Sequence, residues 1–292
     1  MPLKQSPSPT YRRTQRLIQE ASALLESKGF SSPKTDVEWL LETLLDCSRS
    51  ELYEHGEREL TDVQWNTFNA WFQRRLNREP VQYITGWAEF YSRRFTVTPA
   101  VLIPRPETER LIDVALYTMG GRTAPRILDA GTGSGCMALT LAKELPHAKI
   151  TALDVSGEAL SIARQNARDL EVKNVSLQQD DILSNVPEGS FDLIVSNPPY
   201  IPAKEVPLLM PEIQEYEPHL ALTDLADGLT FYRRLAYLAP WILNPGGWIV
   251  MEVGLGDHPQ RALAVFQEEG YKKITLIKDY NGDERVLRVG TG

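Results

Sequence analysis

Cysteine is scarce in this chain. Across 292 residues there are two, Cys47 and Cys136, far apart in sequence. That spacing offers no thiolate metal pattern, and a disulfide framework is not expected in a chain this long. Positive charge is in deficit as well. Lys plus Arg number 31 against 39 Asp plus Glu, a formal net charge of −8. This excludes a broad, non-specific grip on phosphate backbones and leaves room only for a local basic patch. No window approaches ~18 consecutive apolar residues, so no transmembrane helix is expected. The opening stretch, Met1 to Thr10, is polar and rich in Pro and Ser, without the apolar run of a secretory signal. The four histidines, His55, His147, His219 and His258, form no cluster, and none is given a role. These absences predict a cytoplasmic protein with no metal and no membrane partner.

What is present suffices for a sizeable core. Hydrophobic residues make up 42% and charged residues 24%, ordinary for a globular protein. At about 150 residues per domain, the length predicts two domains or one with an appendage. Residues 1–85 read as a nearly neutral helical unit. From Tyr11 to Lys28, Leu17, Ile18, Ala21, Leu24 and Leu25 recur at helical spacing, and Gly29 closes the run. Thr35 to Leu45 repeats the pattern. Thr61 caps a third helix that carries Trp65, Phe68, Trp71, Phe72 and Leu76. The two tryptophans are read first as core.

Residues 86–105 change character. Phe90, Phe95, Val97, Val101 and Ile103 alternate with polar and turn-forming residues, as in a β-hairpin connector. A helix, Glu107–Met119, follows Pro104-Arg105-Pro106. Residues 106–292 then alternate between strands and helices. Strands are predicted at Arg126–Asp129, Lys149–Asp154, Val175–Gln179, Phe191–Ser196, Gly247–Val253, Lys272–Ile277 and Arg285–Val289. Helices are predicted at Cys136–Glu144, Gly157–Asp169, Leu229–Leu238 and Pro259–Glu269. This alternation implies an α/β fold with a mostly parallel, doubly wound sheet. Lys278 to Glu284 is too short for a crossover, so the last two strands should pair antiparallel through Asn281-Gly282.

One cluster points to a nucleoside cofactor. Asp129-Ala130-Gly131-Thr132-Gly133-Ser134-Gly135 follows a strand and opens a helix, and Asp154 ends the next strand. Glycines there admit a ligand close to the backbone, and an acid at that strand end suits ribose hydroxyls. The dinucleotide fingerprint would put its third Gly at Cys136, so it is not met. Asp129 would repel a pyrophosphate but can accept from an ammonium, as S-adenosylmethionine offers. Asp180 and Asp181 follow the third strand, where a carboxylate can accept from adenine; the competing reading is a solvated turn.

A second cluster carries chemistry. The buried strand Phe191–Ser196 stops at Asn197-Pro198-Pro199-Tyr200. The prolines stiffen the chain and leave carbonyls as acceptors. Asn197 adds a side-chain acceptor and Tyr200 a flat ring. Two acceptors and a ring suit a planar NH2 on an sp2 carbon, orienting its nitrogen toward a methyl donor. Adenine and a side-chain amide both fit.

At these residues the chain resembles the release-factor glutamine methyltransferases, the HemK/PrmC family. Besides the two clusters, Leu102-Ile103-Pro104-Arg105-Pro106-Glu107-Thr108-Glu109, Tyr216-Glu217-Pro218, Asp227-Gly228-Leu229-Thr230-Phe231-Tyr232-Arg233 and Asp283-Glu284-Arg285-Val286 resemble its motifs, as does Pro80-Val81-Gln82-Tyr83-Ile84-Thr85-Gly86. The resemblance implies a class I, Rossmann-like methyltransferase sheet of seven strands with the last antiparallel. It implies transfer of a methyl group from S-adenosylmethionine to N5 of the Gln in the Gly-Gly-Gln motif of class 1 peptide chain release factors. The implied cofactor residues are Asp129, Gly131, Thr132, Gly133, Ser134, Gly135, Asp154, Asp181, Ile182 and Asn197. The implied substrate residues are Asn197, Pro198, Pro199 and Tyr200, and Asn197, Pro198 and Tyr200 carry the chemistry. Residues 1–85 would dock the protein substrate, and the enzyme would act as a monomer without direct nucleic-acid binding. The sequence departs from the family at Ile182, often a large aromatic, and at Asp257, near where members often carry Gln. Arg105 reads equally as an organiser of the substrate loop or as an ion-pair partner of Glu107 or Glu109. The alternative function is an adenine-N6 methyltransferase acting on DNA or RNA; the acidic balance and the lack of a target-recognition segment weigh against it.

Overall fold

The computed structural model describes residues 12–54 and 58–291. The Met1–Thr10 segment, Tyr11 and His55 lie outside the described residues. The chain divides into two compact units, Met1–Gly86 and Trp87–Gly292. Among the described residues, no helix is long and apolar enough to cross a membrane.

The first unit is helical: α1 (Thr14–Ser27), α2 (Pro33–Leu45), α3 (Arg49–Glu54), α4 (Asp62–Leu76) and α5 (Val81–Thr85). Helix α1 starts later than the periodicity predicts, because Arg13 is extended and bridges to Glu59 while Thr14 N–H donates to the Arg58 carbonyl. The α1 stripe of Leu17, Ile18, Ala21 and Leu25 packs with Val37, Leu40 and Leu41 of α2 and with Trp65, Phe68 and Phe72 of α4. Trp65 is core, and Trp71 packs half-buried against it. Thr61 and Gln64 form a reciprocal capping box at the start of α4, satisfying two end N–H groups. Short helices α3 and α5 are not legible in the sequence, since six and five residues carry too few turns to show a period.

The second unit opens with an antiparallel hairpin, β1 (Trp87–Phe90) and β2 (Arg93–Thr96). Then come α6 (Pro106–Met119), β3 (Arg126–Ala130), α7 (Cys136–Glu144), β4 (Lys149–Asp154), α8 (Gly157–Asp169), β5 (Val175–Gln179) and β6 (Phe191–Ser196). After β6 a long segment holds a 3-10 turn at Val206–Leu208 and the short helices α9 (Pro211–Tyr216) and α10 (His219–Leu222). The chain finishes with α11 (Thr230–Ile242), β7 (Leu243–Glu252), α12 (His258–Glu268), β8 (Lys273–Lys278) and β9 (Glu284–Gly290).

The seven strands lie in the order β5-β4-β3-β6-β7-β9-β8, with β9 antiparallel to both neighbours and the other pairings parallel. The predicted architecture is therefore present, with the antiparallel strand inserted before the edge. Order reverses between β3 and β6: the chain leaves β3 toward one edge and returns at β6. A crevice opens outside the carboxyl ends of two strands at such a switch point. The sheet is buried on both faces, by α11 and α12 on one and by α6 and α7 on the other.

Two boundaries, the end of α11 and the start of β7, lie four residues from expectation, each for a visible reason. Pro240 does not end α11. Lacking an N–H, it leaves the Ala236 carbonyl without its helical partner, and the Tyr271 hydroxyl donates there instead at 2.8 Å. Strand β7 begins at Leu243 rather than Gly247. Its register with β6 shifts between Phe191 and Leu193. Buried Asp192 holds the bulged segment, accepting from Asn244 Nδ2 at 2.9 Å and Arg122 at 2.5 Å.

Candidate active site

The switch point brings the two sequence clusters together. Ser196, the last residue of β6, donates its hydroxyl to the Ala130 carbonyl at the end of β3, 2.7 Å away. The Gly-rich turn after β3 and the Asn197 turn after β6 are thus neighbours on one edge.

In the Gly-rich turn, Gly131 and Gly133 have φ of 80° and 55°, and a Cβ on either would meet nothing within 4 Å. The backbone is left-handed there, and the space above it is open. Gly135 serves packing: a Cβ would sit 3.1 Å from Leu139 and 3.2 Å from Ala163, wedging α7 from α8. Thr132 donates its hydroxyl to Asp129 Oδ2 at 2.7 Å, while among the described residues nothing donates to the buried Asp129 Oδ1. Burial raises the Asp129 carboxyl to about 7. An unpartnered, desolvated carboxylate oxygen calls for a cation or a proton. Asp154 accepts from Gly133 N–H at 2.8 Å on Oδ2 and from Ser156 N–H at 2.9 Å on Oδ1. Each oxygen keeps a second lone pair for a hydroxyl donor. This donor and acceptor set fits S-adenosylmethionine, which carries an ammonium and a ribose diol.

Other predicted cofactor residues are placed differently. Ser134 is buried, and its carbonyl accepts from Asn166 Nδ2 at 2.9 Å. Asn166 also exchanges two hydrogen bonds with the backbone of Thr96, which anchors the hairpin end to the Gly-rich turn. Asp181 caps its own turn, accepting from Leu183 N–H and the Ser184 hydroxyl; Asp180 accepts from Asp181 N–H and Asn185. Ile182 belongs to the buried cluster of Ala130, Leu153 and Leu229.

In the second cluster, Asn197 Nδ2 donates to the Thr108 hydroxyl at 3.1 Å. Thr108 donates onward to Glu252 Oε2 at 2.5 Å, and Tyr200 donates its hydroxyl to Glu252 Oε1 at 2.9 Å. Glu252 is fully buried, with Arg285 Nη2 3.7 Å from Oε1. Among the described residues nothing donates to Asn197 Oδ1 or to the Pro198 carbonyl. Pro198 is buried, while Pro199, Asn197 and Tyr200 are half-buried. The backbone of Tyr200 lies so close to Gly228 that a Cβ there would be 2.2 Å from its carbonyl oxygen.

The ion-pair reading of Arg105 is borne out in kind and corrected in partner. Arg105 pairs with buried Glu217, not with Glu107 or Glu109. Ile103 N–H also donates to Glu217, at 3.4 Å, so residues 103–105 are clasped to the Glu217 turn. Glu109 instead accepts from Tyr91 N–H. Sequence reading also missed His258. Its Nδ1 accepts from Gly254 N–H at 3.0 Å, so Nε2 carries the proton and donates to the Gly228 carbonyl at 3.1 Å. Its ring lies 5.6 Å from Tyr200 and 5.3 Å from Tyr232, and burial lowers its pKa. A lone histidine carries no sequence signal for such a role. Glu252 did carry one, as an acid closing an apolar strand. Asp257 is exposed at the start of α12 and makes no side-chain cap.

Two family models match the chain: the PrmC N-terminal domain over residues 16–86 and the methyltransferase small domain over residues 112–213. The chain is 40% identical over 271 residues to the release factor glutamine methyltransferase of Geobacter sulfurreducens, covering 91% of this chain and 93% of that one. The chain belongs to the release factor glutamine methyltransferase family. Family members from Koribacter versatilis and Salmonella typhimurium are 46% and 39% identical, over 79% and 90% of this chain and 82% and 94% of theirs. Among solved structures, a methyltransferase from Pyrococcus furiosus is 23% identical, covers 75% of this chain and 97% of that one, and has a TM-score of 0.49.

Proposed function

We propose that this enzyme transfers a methyl group from S-adenosylmethionine to the side-chain amide nitrogen, N5, of the Gln in the Gly-Gly-Gln motif of class 1 peptide chain release factors. The observation that carries this reading is the unpartnered pair of acceptors, Asn197 Oδ1 and the Pro198 carbonyl, beside the Tyr200 ring at the switch point. Relatives named for release factor glutamine methylation support the substrate.

S-adenosylmethionine, when bound, supplies an electrophilic methyl on a sulfonium. The Gly131–Gly135 backbone with Thr132 and Ser134 would cradle it, Asp129 would take its ammonium and Asp154 its ribose hydroxyls. The Asp181-Ile182 turn would border the adenine, and Asn197 would stand between cofactor and substrate. An amide nitrogen is a weak nucleophile because its lone pair is delocalised into the carbonyl. Asn197 Oδ1 and the Pro198 carbonyl take its two hydrogens, and the Tyr200 ring fixes its plane. Held this way, the lone pair points at one place, and hydrogen bonds that strengthen as the nitrogen pyramidalises lower the barrier. Both acceptors are neutral, which suits an uncharged amide. The methylated nitrogen is briefly cationic and strongly acidic, and it sheds its extra proton to water.

Residues 1–85 would supply protein docking. Binding energy from such remote contacts pays for orientation at the reacting nitrogen, so a short Gly-Gly-Gln peptide should react poorly beside the whole factor. The test is mass spectrometry of a release factor incubated with enzyme and methyl donor. One added methyl on the Gln of Gly-Gly-Gln supports the reading. Methyl on adenine of DNA or RNA, with the factor unmodified, overturns it.

A further inference from the structure

Glu252 takes no part in that account, yet it holds both residues that border the amide. It closes β7 as a fully buried acid, and its two oxygens accept from two different hydroxyls. Oε1 accepts from Tyr200, and Oε2 accepts from Thr108, which in turn accepts from Asn197. The Tyr232 hydroxyl fixes the Glu252 backbone, donating to its carbonyl at 2.6 Å.

The direction of this chain of hydrogen bonds follows from counting protons. Two hydroxyls donate to Glu252 and Arg285 Nη2 lies 3.7 Å from it, the surroundings of an ionised carboxylate, which only accepts. Thr108 has one hydroxyl proton, and Glu252 takes it, so toward Asn197 the Thr108 oxygen can only accept. The Asn197 amide must therefore turn its NH2 to Thr108. Its carbonyl oxygen then faces the other way, the orientation needed to receive a substrate N–H. A flipped amide would set oxygen against oxygen at Thr108, unless Thr108 abandoned a buried carboxylate oxygen to donate outward. Either outcome leaves a buried group without its partner. The other arm fixes Tyr200: its proton is spent on Glu252, leaving the ring, not the hydroxyl, for the substrate.

We propose that Glu252 is a positioning residue for methyl transfer, acting through Thr108 to set which way the Asn197 amide faces and through the Tyr200 hydroxyl to hold the ring. This rests on the proposed transfer to a glutamine amide. Neither Glu252 nor Thr108 touches the reacting atoms. Arg285 supports the carboxylate charge from 3.7 Å, against the burial that pushes the Glu252 pKa up.

Three variants test it in the full-length enzyme. Glu252→Gln keeps the shape but presents an NH2 to one of the two hydroxyls. Thr108→Val keeps the shape and removes the relay. Thr108→Ser keeps the hydroxyl. Glu252→Gln and Thr108→Val should each lower kcat on the release factor about 10²-fold, the loss typical of a slight misplacement at the reacting centre. Their affinity for S-adenosylhomocysteine should stay within about twofold, and Thr108→Ser should restore most of the rate. In an Asn197→Ala background, Thr108→Val should cost nothing further, because the group it orients is gone. Independently of any substrate, the Asn197 side-chain amide protons, assigned by their loss in Asn197→Ala, should exchange slowly in wild type and Thr108→Ser. They should exchange fast in Thr108→Val and Glu252→Gln. If Glu252→Gln does not fold, Thr108→Val decides alone. A folded Thr108→Val with near-wild-type kcat, or with unchanged Asn197 protection, overturns the proposal. A wild-type enzyme that leaves the factor unmethylated overturns the functional reading instead, and amide exchange still decides the orientation.

Discussion

Ser196 and Ala130 end adjacent strands of the sheet, and the Ser196 hydroxyl donates to the Ala130 carbonyl at 2.7 Å. This bond joins the turn that begins at Gly131 to the turn that begins at Asn197. Donor and acceptor of a methyl group must approach within van der Waals contact, so their binding turns gain from a shared, rigid origin.

Asn197→Ala should lower kcat by about 10²-fold or more, as losing one preorganised hydrogen-bonding group does elsewhere. Cofactor affinity should change far less, because the main loss falls in the transition state. Tyr200→Phe should be milder than Tyr200→Ala, which also removes the ring. Steady-state kinetics with titrated cofactor separates the two effects. Near-wild-type turnover in Asn197→Ala would remove it as the orienting acceptor.

Asp154→Ala should weaken S-adenosylmethionine binding by roughly 1.5–3 kcal/mol per hydrogen bond lost to a charged group. Part of that loss is indirect, because Asp154 also holds Gly133 N–H at 2.8 Å. Isothermal calorimetry reads it. Unchanged affinity in a folded variant would place the ribose elsewhere.

Asp129 links binding to protons. Burial raises its carboxyl from 3.8 to about 7, so the folded protein binds a proton the unfolded chain has lost. Its contribution to stability is therefore full below about pH 4 and declines as pH rises toward 7, where the folded carboxyl also ionises. A cofactor ammonium favours the ionised form. Binding of S-adenosylhomocysteine at pH 6 should release close to one proton, and the release should shrink as pH passes 7. Calorimetry in buffers of different ionisation heat measures this. Asp129→Asn should abolish it, and equal release in that variant would assign the proton to another group.

Asn166→Ala should reduce cofactor affinity without touching the cofactor. The side chain links the half-buried Thr96 backbone to the buried Ser134 carbonyl, and its loss leaves that carbonyl unpaired, at about 1–3 kcal/mol. Thermal unfolding should show the destabilisation, and calorimetry a weaker, more entropically opposed binding. An Asn166→Ala enzyme with wild-type Tm would contradict this linkage.

Gly228→Ala should be among the most damaging small substitutions. The residue has φ of 81°, and a Cβ would lie 2.2 Å from the Tyr200 carbonyl oxygen. Left-handed strain of about 1–2 kcal/mol adds to overpacking of about 1–3 kcal/mol. Tyr200 would have to move, so kcat should fall together with Tm. Retained activity in a destabilised variant would show that the site tolerates displacement of Tyr200.

Local pattern determined much of this protein. The helical stripes, strands and Gly-rich turn could be read from sequence because periodicity and backbone chemistry act over a few residues. β4, β5, β6, α7 and α8 have their predicted limits. Asn197-Pro198-Pro199-Tyr200 was legible for the same reason, as four adjacent residues with matched chemistry. What only the tertiary structure decided depends on distant segments. Arg105 meets Glu217 rather than its near neighbours, because the Glu217 turn is folded against residues 103–105. Asp181 turns its carboxylate onto its own turn. Thr108, Asn197, Tyr200 and Glu252 come from three separate parts of the chain. No spacing announces their meeting, because strand order, not sequence distance, puts the ends of β6 and β7 side by side with α6.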